Sequence, residues 1–266
     1  FDTSKNFRLT AYQTPNRGKQ SSVEDIMYYS VMMGERGKVS IQDADQVVLD
    51  TVDRKGRPWE EYKSLLVNLR NRLGPDNYRR VQAEFMLGLP KQSFDSVTKT
   101  IFRVLYEAGC NNQAWNHWQM IENSPAANPE FQKKYGLEFV KTYYPRASGA
   151  ETDLSIDECY ESIANGHGID DYFTGSILYR TPTLDMVDII AIRLIERSIW
   201  YAGFSVFGLD EIEARRRFNI VVSRAHSEAS RIFADLAPRY AKYGFILSAT
   251  KLGRKLFDSW VCNSSE

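Results

Sequence analysis

The sequence has few cysteines, and none of them falls in a pattern that would hold a metal or a disulfide framework. Its 266 residues include only Cys110, Cys159 and Cys262, with no C-x-x-C pair and no zinc-type spacing to a histidine. An odd number of unpatterned cysteines argues against both kinds of cross-link. A chain of this length buries enough apolar surface to fold without them.

Charge of one sign and long apolar runs are also lacking. Lysine plus arginine and aspartate plus glutamate number 34 each, so the formal net charge is zero and no long-range field of one sign is expected. The charge is segregated, since residues 54–103 carry 11 basic and 5 acidic side chains and residues 107–188 carry 5 and 13. No apolar run approaches the roughly 20 residues that cross a bilayer, so no membrane span is predicted.

The sequence lacks the short motifs of common catalytic and nucleotide sites. No G-x-S-x-G, H-E-x-x-H or G-x-G-x-x-G occurs, which argues against a nucleophile elbow, a zinc protease helix and a dinucleotide fingerprint. Gly34, Gly37 and Lys38 are too closely spaced for a phosphate loop. We therefore predict that the chain is not an enzyme.

His167 is the strongest sign of catalysis that the sequence contains. It precedes Asp170 and Asp171, and an imidazole beside two carboxylates can hold a metal or move a proton. Acidic residues at the start of a helix are also expected from capping alone. A metal-dependent enzyme centred on His167 is kept as an alternative.

Apolar spacing typical of helices dominates the sequence, and strand signals are scarce. The clearest stripe recurs every three or four residues, at Trp59, Tyr62, Leu66, Leu69 and Leu73. Similar spacing predicts helices over residues 78–89, 112–123 and 210–236, and a capping pattern at residues 40–43 predicts the start of another. The predicted fold is an all-α, multi-helix array.

Breaks in this pattern predict the domain organisation. Residues 1–20 have neither a helical nor a strand period and are predicted to form an extended N-terminal arm. The Pro- and Gly-containing residues 144–152 separate a first helical half, residues 21–145, from a second, residues 153–266. Residues 101–109 resemble residues 195–203 in sequence, which favours either two related halves or a shared way of ending a helix.

Aromatic residues make up 13% of the chain and often stand beside arginine. These two residue types are enriched at the cores of protein interfaces. The predicted partner-binding residues are Phe7, Arg8, Tyr12, Arg17, Tyr78, Arg79, Arg80, Arg215, Arg216, Arg217, Arg239 and Tyr240. We therefore predict a non-catalytic linker or scaffold subunit that binds other protein subunits of a large assembly.

Nucleic acid is the alternative partner. The arginine-rich residues 215–231 could neutralise phosphates, and Tyr240 and its aromatic neighbours could stack bases. Glu211 and Glu213 stand four residues before Arg215 and Arg217, however, and are expected to neutralise some of that charge. A viral nucleoprotein or coat protein binding single-stranded RNA is kept as an alternative.

In overall character the chain resembles the red-algal linker proteins of phycobilisomes and the phycoerythrin gamma-type subunits. The resemblance is carried by the arginine- and tyrosine-bearing arm at residues 7–17 and by aromatic-arginine clusters such as Tyr78-Arg79-Arg80. It implies a light-harvesting linker threaded through biliprotein hexamers at the stromal surface of the chloroplast thylakoid. The start at Phe1 instead of Met leads us to expect a processed product; without the resemblance, we expect an intracellular soluble protein.

The resemblance also implies a covalently attached bilin, either phycoerythrobilin or phycourobilin. Some such subunits carry the pigment on cysteine thioethers, which makes Cys110, Cys159 and Cys262 candidate attachment sites. Asp157 and Asp258 lie close in sequence to Cys159 and Cys262 and are implied to accept hydrogen bonds from the pyrrole nitrogens.

Overall fold

The computed structural model describes residues 12–13, 20–53, 58–118, 120–121, 125–143 and 176–240. The helices in this part of the chain are α1 Gln20–Met32, α2 Gln46–Leu49, α3 Trp59–Tyr78, α4 Phe94–Glu107, α5 Pro129–Tyr135, α6 Met186–Tyr201 and α7 Glu211–Tyr240. The strands are β1 Tyr12–Gln13, β2 Gly37–Gln42, β3 Val81–Leu87, β4 Gln113–His117, β5 Met120–Ile121, β6 Glu138–Tyr143 and β7 Ser176–Arg180. Short 3-10 turns lie at Asp50–Val52 and Pro125–Ala127.

The described residues form two β-sheets, so the prediction of an all-α fold is wrong. The first sheet has the strand order β1-β2-β3-β4, and β1, β2 and β3 run parallel. The second sheet has the order β5-β7-β6 and is antiparallel. Helices connect successive strands of the first sheet, which is the β-α-β connection that parallel strands require.

Strand β3 shows why the helical interpretation failed. Val81, Phe85 and Leu89 are four residues apart, which fits one face of a helix. Val81, Ala83, Phe85 and Leu87 also alternate along the chain, and all four are buried. A short apolar segment satisfies both periods, and pairing with a neighbouring strand decides between them.

Two other predicted helices are also strands. Residues 112–123, predicted as a helix, contain β4 and β5. The capping pattern at residues 40–43 lies at the end of β2, where the register with β3 shifts between Ser40 and Gln42. The next helix begins later, where the Asp45 carboxylate accepts a hydrogen bond from the Val47 amide at 2.9 Å, which is an ordinary N-cap.

Helix α3 confirms the predicted apolar stripe. All five of its predicted stripe residues are buried, namely Trp59, Tyr62, Leu66, Leu69 and Leu73. After the stripe the helix is interrupted: Gly74 has φ 69° and ψ 166°, and Pro75 begins one more turn that ends at Tyr78. That turn brings the chain to the start of β3.

The chain divides into two compact units, each assembled from separate stretches. Unit 1 consists of Phe1–Met86, Thr98–Trp115 and Glu196–Ile220. Unit 2 consists of Leu87–Val97, Asn116–Ile195 and Val221–Glu266. The predicted halves, residues 21–145 and 153–266, are each continuous in the chain, whereas these units are not.

Unit 1 contains most of the parallel sheet and its covering helices. Gly37 opens β2 directly beneath α1, because a Cβ atom built there would lie 3.2 Å from Val31 and 3.3 Å from the Met27 sulfur. Phe85 of β3 stacks on Trp115 of β4, with ring centroids 4.5 Å apart and an interplanar angle of 14°. Such a pair stabilises the fold by about 0.5–1.5 kcal/mol beyond the contribution of the apolar area that it buries.

Unit 2 has its own small apolar cluster. Leu137 is buried there, and Trp118, Phe131 and Tyr135 pack around it. No helix in the described part of the chain combines the length and apolar character needed to cross a bilayer.

Candidate anion-binding site

An open cleft in unit 1 is lined by arginines and aromatic rings. Its volume is about 810 Å³, within the range of about 300–1,000 Å³ that is typical of small-molecule sites. Its charged and aromatic lining includes Arg36, Arg70, Arg79, Arg80, Trp200 and Phe207. None of the described residues that line it is acidic. We call this feature the arginine cleft.

The arginine cleft lies where helices end and strands begin. Arg36 stands between α1 and β2, and Arg80 stands between α3 and β3. Gly109 follows the end of α4, and Gly203 follows the end of α6. In β-α-β units each helix returns the chain to the edge where the strands begin, so α1 and α3 place their C-terminal ends at that edge.

Two of the helices end in the same way at the cleft. Gly109 has φ 59° and Gly203 has φ 64°, the left-handed conformation that glycine adopts without steric cost. The Cys110 amide donates to the Val104 carbonyl at 3.2 Å, and the Phe204 amide donates to the Ser198 carbonyl at 3.3 Å. In each bond the donor lies six positions after the acceptor in the chain. In both bonds the amide reaches one residue further back than in the Schellman motif, where donor and acceptor are five positions apart. The two segments thus share a way of ending a helix, which is one of the two explanations given for the resemblance between residues 101–109 and 195–203.

Arg70 is held against Phe207 in a space that only glycine leaves open. The Arg70 guanidinium lies 3.4 Å from the centroid of the Phe207 ring, a cation–π arrangement. A Cβ atom built on Gly109 would lie 2.6 Å from an Arg70 nitrogen and 2.6 Å from a Phe207 ring carbon. The absence of a side chain at Gly109 is therefore a condition for this stack.

The other three arginines have few partners for their N–H groups. The Arg36 guanidinium lies 5.8 Å from the centre of the Trp200 ring. Arg80 donates one long hydrogen bond, 3.5 Å, to the Val31 carbonyl, and Arg79 pairs with Asp76 one helical turn earlier. Each guanidinium has five donors, so most of the donors on these side chains are left for water or a ligand.

The charge of the cleft remains positive after the nearby negative groups are counted. Four arginines line it, and Asp76 neutralises one of them. Each helix C-terminus carries about half a negative charge, so the ends of α1, α3, α4 and α6 remove about two more units. About one positive unit remains, and in the described part of the chain no carboxylate pairs with Arg36, Arg70 or Arg80.

Two uncharged side chains also shape the cleft wall. The Asn111 side-chain oxygen is buried and accepts no hydrogen bond from the described residues. Leaving such an acceptor unsatisfied costs about 1–3 kcal/mol, and a ligand N–H could satisfy it. The Tyr78 hydroxyl donates to the Ala108 carbonyl at 3.1 Å, and burial raises the pKa of Tyr78 well above its usual value, so this hydroxyl stays protonated.

The structure gathers one predicted group of partner-binding residues and adds residues that the sequence analysis missed. Tyr78, Arg79 and Arg80 all line the arginine cleft. Arg36 and Arg70 were not predicted, because neither stands next to an aromatic residue in the sequence. The resemblance between residues 101–109 and 195–203 was a usable signal, since both segments end at the cleft.

A second predicted group lies on α7, also within unit 1. Arg215 contacts Glu211 at 2.6 Å, and Arg216 and Arg217 each contact Glu213 at 2.6 Å. The three arginine side chains are solvent-exposed. Their hydrogen bonds lower the pKa of Glu213 to about 2. The four-residue pairing predicted from the sequence is thus confirmed.

The remaining predicted partner-binding residues are placed only in part. Tyr12 belongs to β1, where its backbone pairs with Lys38 of β2. Arg239 and Tyr240 form the end of α7. Phe7, Arg8 and Arg17 lie outside the described residues.

The predicted bilin site is described only at Cys110. This thiol is 1% exposed and lies 3.5 Å from the Asn112 carbonyl, and burial raises its pKa to about 11. A thiol that is buried and protonated is a weak nucleophile in this conformation. Four predicted residues, Cys159, Cys262, Asp157 and Asp258, lie outside the described residues, and pigment attachment stays a prediction.

His167, proposed as a metal-dependent catalytic centre, also lies outside the described residues. Within the residues that are described, no group of three or more His, Cys, Asp and Glu side chains could hold a metal ion. His226 and Asp188 in unit 2 form a pair at 3.6 Å, with the His226 ring 5.2 Å from that of Phe94.

Comparison with known proteins gives little that bears on this cleft. No protein-family model matches the chain, and no curated protein matches it. Among solved structures it aligns with coproporphyrinogen III oxidase from Escherichia coli, described as a radical SAM enzyme, at 16% identity and a TM-score of 0.32. The alignment covers 83% of this chain and 62% of that enzyme, so the chain spans less than two thirds of the enzyme's length.

This comparison corrects one prediction and leaves others untested. The prediction that the chain is not an enzyme is withdrawn, because missing sequence motifs do not exclude a catalytic site; the solved structure that the chain aligns with is an enzyme. A TM-score of 0.32 is too low for the likeness to support any reaction or cofactor for this chain. The light-harvesting linker and the RNA coat stay predictions that none of the comparisons tests.

Proposed function

We propose that the chain binds a phosphate-bearing anion in the arginine cleft. The observation that carries the proposal is the arrangement of Arg36, Arg70 and Arg80 around one cavity with no carboxylate partner among the described residues. Guanidinium groups bind phosphate through two parallel N–H bonds, which gives both charge and shape complementarity.

A purely structural role for these arginines explains only part of the arrangement. Arginine near a helix C-terminus can bind the last carbonyls, as Arg80 does at 3.5 Å. That bond uses one of its five donors. Arg36 and Arg70 contact aromatic rings, and such contacts leave the N–H groups at the edge of the guanidinium plane available.

A direct test is to titrate the full chain with inorganic pyrophosphate and to measure the heat of binding by isothermal calorimetry, once at low salt and once at physiological salt. We expect binding that weakens as salt increases, because the contacts are between opposite charges. The double variant Arg36→Gln/Arg80→Gln should bind about 100-fold more weakly, since each lost charge-assisted hydrogen bond is worth about 1.5–3 kcal/mol and 1.4 kcal/mol is tenfold.

The matched control is Arg216→Gln/Arg217→Gln, which removes the same charge from the exposed surface of α7. This variant should bind pyrophosphate within about twofold of the original chain. Absence of pyrophosphate binding at low salt would reject the proposed function. Equal losses in the two double variants would show that overall charge, and not the cleft, holds the anion.

A further inference from the structure

Three chemical features line the arginine cleft. The arginines are suited to phosphate, Trp200 and Phe207 offer aromatic surface, and Asn111 offers a buried acceptor without a partner among the described residues. A nucleotide has a complementary part for each of these: phosphates, a flat base, and N–H donors on the edge of the base. A simple phosphate ester would leave the last two features unused.

The aromatic rings are open enough to take part. Trp200 is 43% exposed and Phe207 is 40% exposed, although burial of large rings is normally favourable. Each ring already has a guanidinium over it, Arg36 on Trp200 and Arg70 on Phe207. Bases stack on aromatic rings and on guanidinium planes alike, so these two pairs provide stacking surfaces next to phosphate-binding groups.

We infer that the ligand of the arginine cleft is a nucleoside diphosphate, with its base stacked on Trp200 and its phosphates bound by the cleft arginines. This inference rests on the proposed function and adds the class of ligand. Base–aromatic stacking contributes about 5- to 150-fold in affinity, so ADP should bind about tenfold more tightly than pyrophosphate.

The test measures the ratio of ADP affinity to pyrophosphate affinity by calorimetry on the full chain. In the original chain the ratio should be about ten. Trp200→Leu should reduce the ratio to about one, and Trp200→Phe, which keeps a ring, should restore most of it. The control is Tyr29→Leu, which removes an exposed ring of unit 1 that does not line the cleft and should leave the ratio unchanged.

A second pair of ligands separates a nucleobase from any aromatic group. AMP and phenyl phosphate carry one phosphate each, and AMP should bind about fivefold more tightly because its base offers a larger face and edge donors. Equal affinities for AMP and phenyl phosphate would overturn the inference, and so would equal affinities for ADP and pyrophosphate. As long as pyrophosphate still bound, the proposed function would stand in either case. If pyrophosphate itself failed to bind, the proposed function would fall first.

Discussion

Unit 1 contains two arginine-rich surfaces that differ in what surrounds the charge. On α7, Arg215, Arg216 and Arg217 each contact a glutamate of the same helix. In the arginine cleft, only Arg79 has an acidic partner among the described residues, and the other lining arginines contact rings or a carbonyl. The same residue type is therefore neutralised on one surface and available on the other.

The difference shows that a count of arginines does not predict anion binding. A side chain three or four residues away on a helix is always within reach, so an acid at that spacing neutralises an arginine whatever the rest of the fold does. Arg36, Arg70 and Arg80 of the cleft come from three different segments, and they contact aromatic rings or a backbone carbonyl. Anion binding thus depends on which acids are absent from the neighbourhood.

The largest expected effect is on the free energy of unfolding, and it tests the packing that holds Arg70 in the cleft in place of an acidic partner. Gly109→Ala should cost about 2–4 kcal/mol in the free energy of unfolding, because it adds overpacking to the strain of a left-handed alanine. Gly203→Ala should cost only about 1–2 kcal/mol, since a Cβ atom there meets nothing within 4 Å. Urea unfolding of both variants measures the difference. Equal losses would mean that Arg70 and Phe207 move aside without cost.

A smaller effect is expected when the acids themselves are removed. Asp76→Asn releases Arg79 in the cleft and should strengthen pyrophosphate binding about threefold at low salt. Glu213→Gln releases Arg216 and Arg217 on the open surface of α7 and should change that affinity by less than about 1.5-fold. Calorimetric titration of both variants compares them directly. A gain with Glu213→Gln as large as with Asp76→Asn would contradict the role given to cleft geometry.

The smallest effect concerns the pH dependence of the α7 ion pairs. The pKa of Glu213 is lowered from 4.5 to about 2, so its stabilising contribution is present above about pH 4.5 and is lost as the pH falls towards 2. Glu213→Gln should lower Tm by about 1 °C at pH 7 and by progressively less as the pH falls to 2, where about half of the Glu213 side chains are still ionised.

The control for this pH series is Ser223→Ala, a change at an exposed and uncharged position of the same helix. Its effect on Tm should not vary with pH in the way that Glu213→Gln does. A difference between Glu213→Gln and the original chain that is as large at pH 2 as at pH 7 would show that the glutamate stabilises α7 by packing and not by charge. Thermal unfolding monitored by circular dichroism is sufficient for all three chains.

Local features of the fold were predictable from the sequence, whereas the sheets were not. The stripe of α3 and the glycine cap at Gly109 follow from residues within one or two helical turns. Strand β3 was taken for a helix because its apolar residues fit both periods, and its identity depends on pairing with β2, which begins 44 residues earlier at Gly37 and pairs with Val81. No local spacing contains that information.

The candidate site was predicted only where its residues are adjacent in the chain. Tyr78, Arg79 and Arg80 were identified because an aromatic residue stands next to two arginines. Arg36 and Trp200 come from segments far apart in the chain, and neither has a neighbour that marks it. They can be recognised as parts of one site only because they lie close together in the folded chain, where the Arg36 guanidinium is 5.8 Å from the centre of the Trp200 ring.

The sequence by itself determined the α3 stripe, the glycine-ended helices and the glutamate–arginine pairs of α7, because the helical repeat brings residues three and four apart together in any context. The tertiary structure decided which segments are strands and which arginines have no acidic partner among the described residues. Those outcomes depend on strand register and on the meeting of helix ends from distant parts of the chain, and the local sequence sets neither.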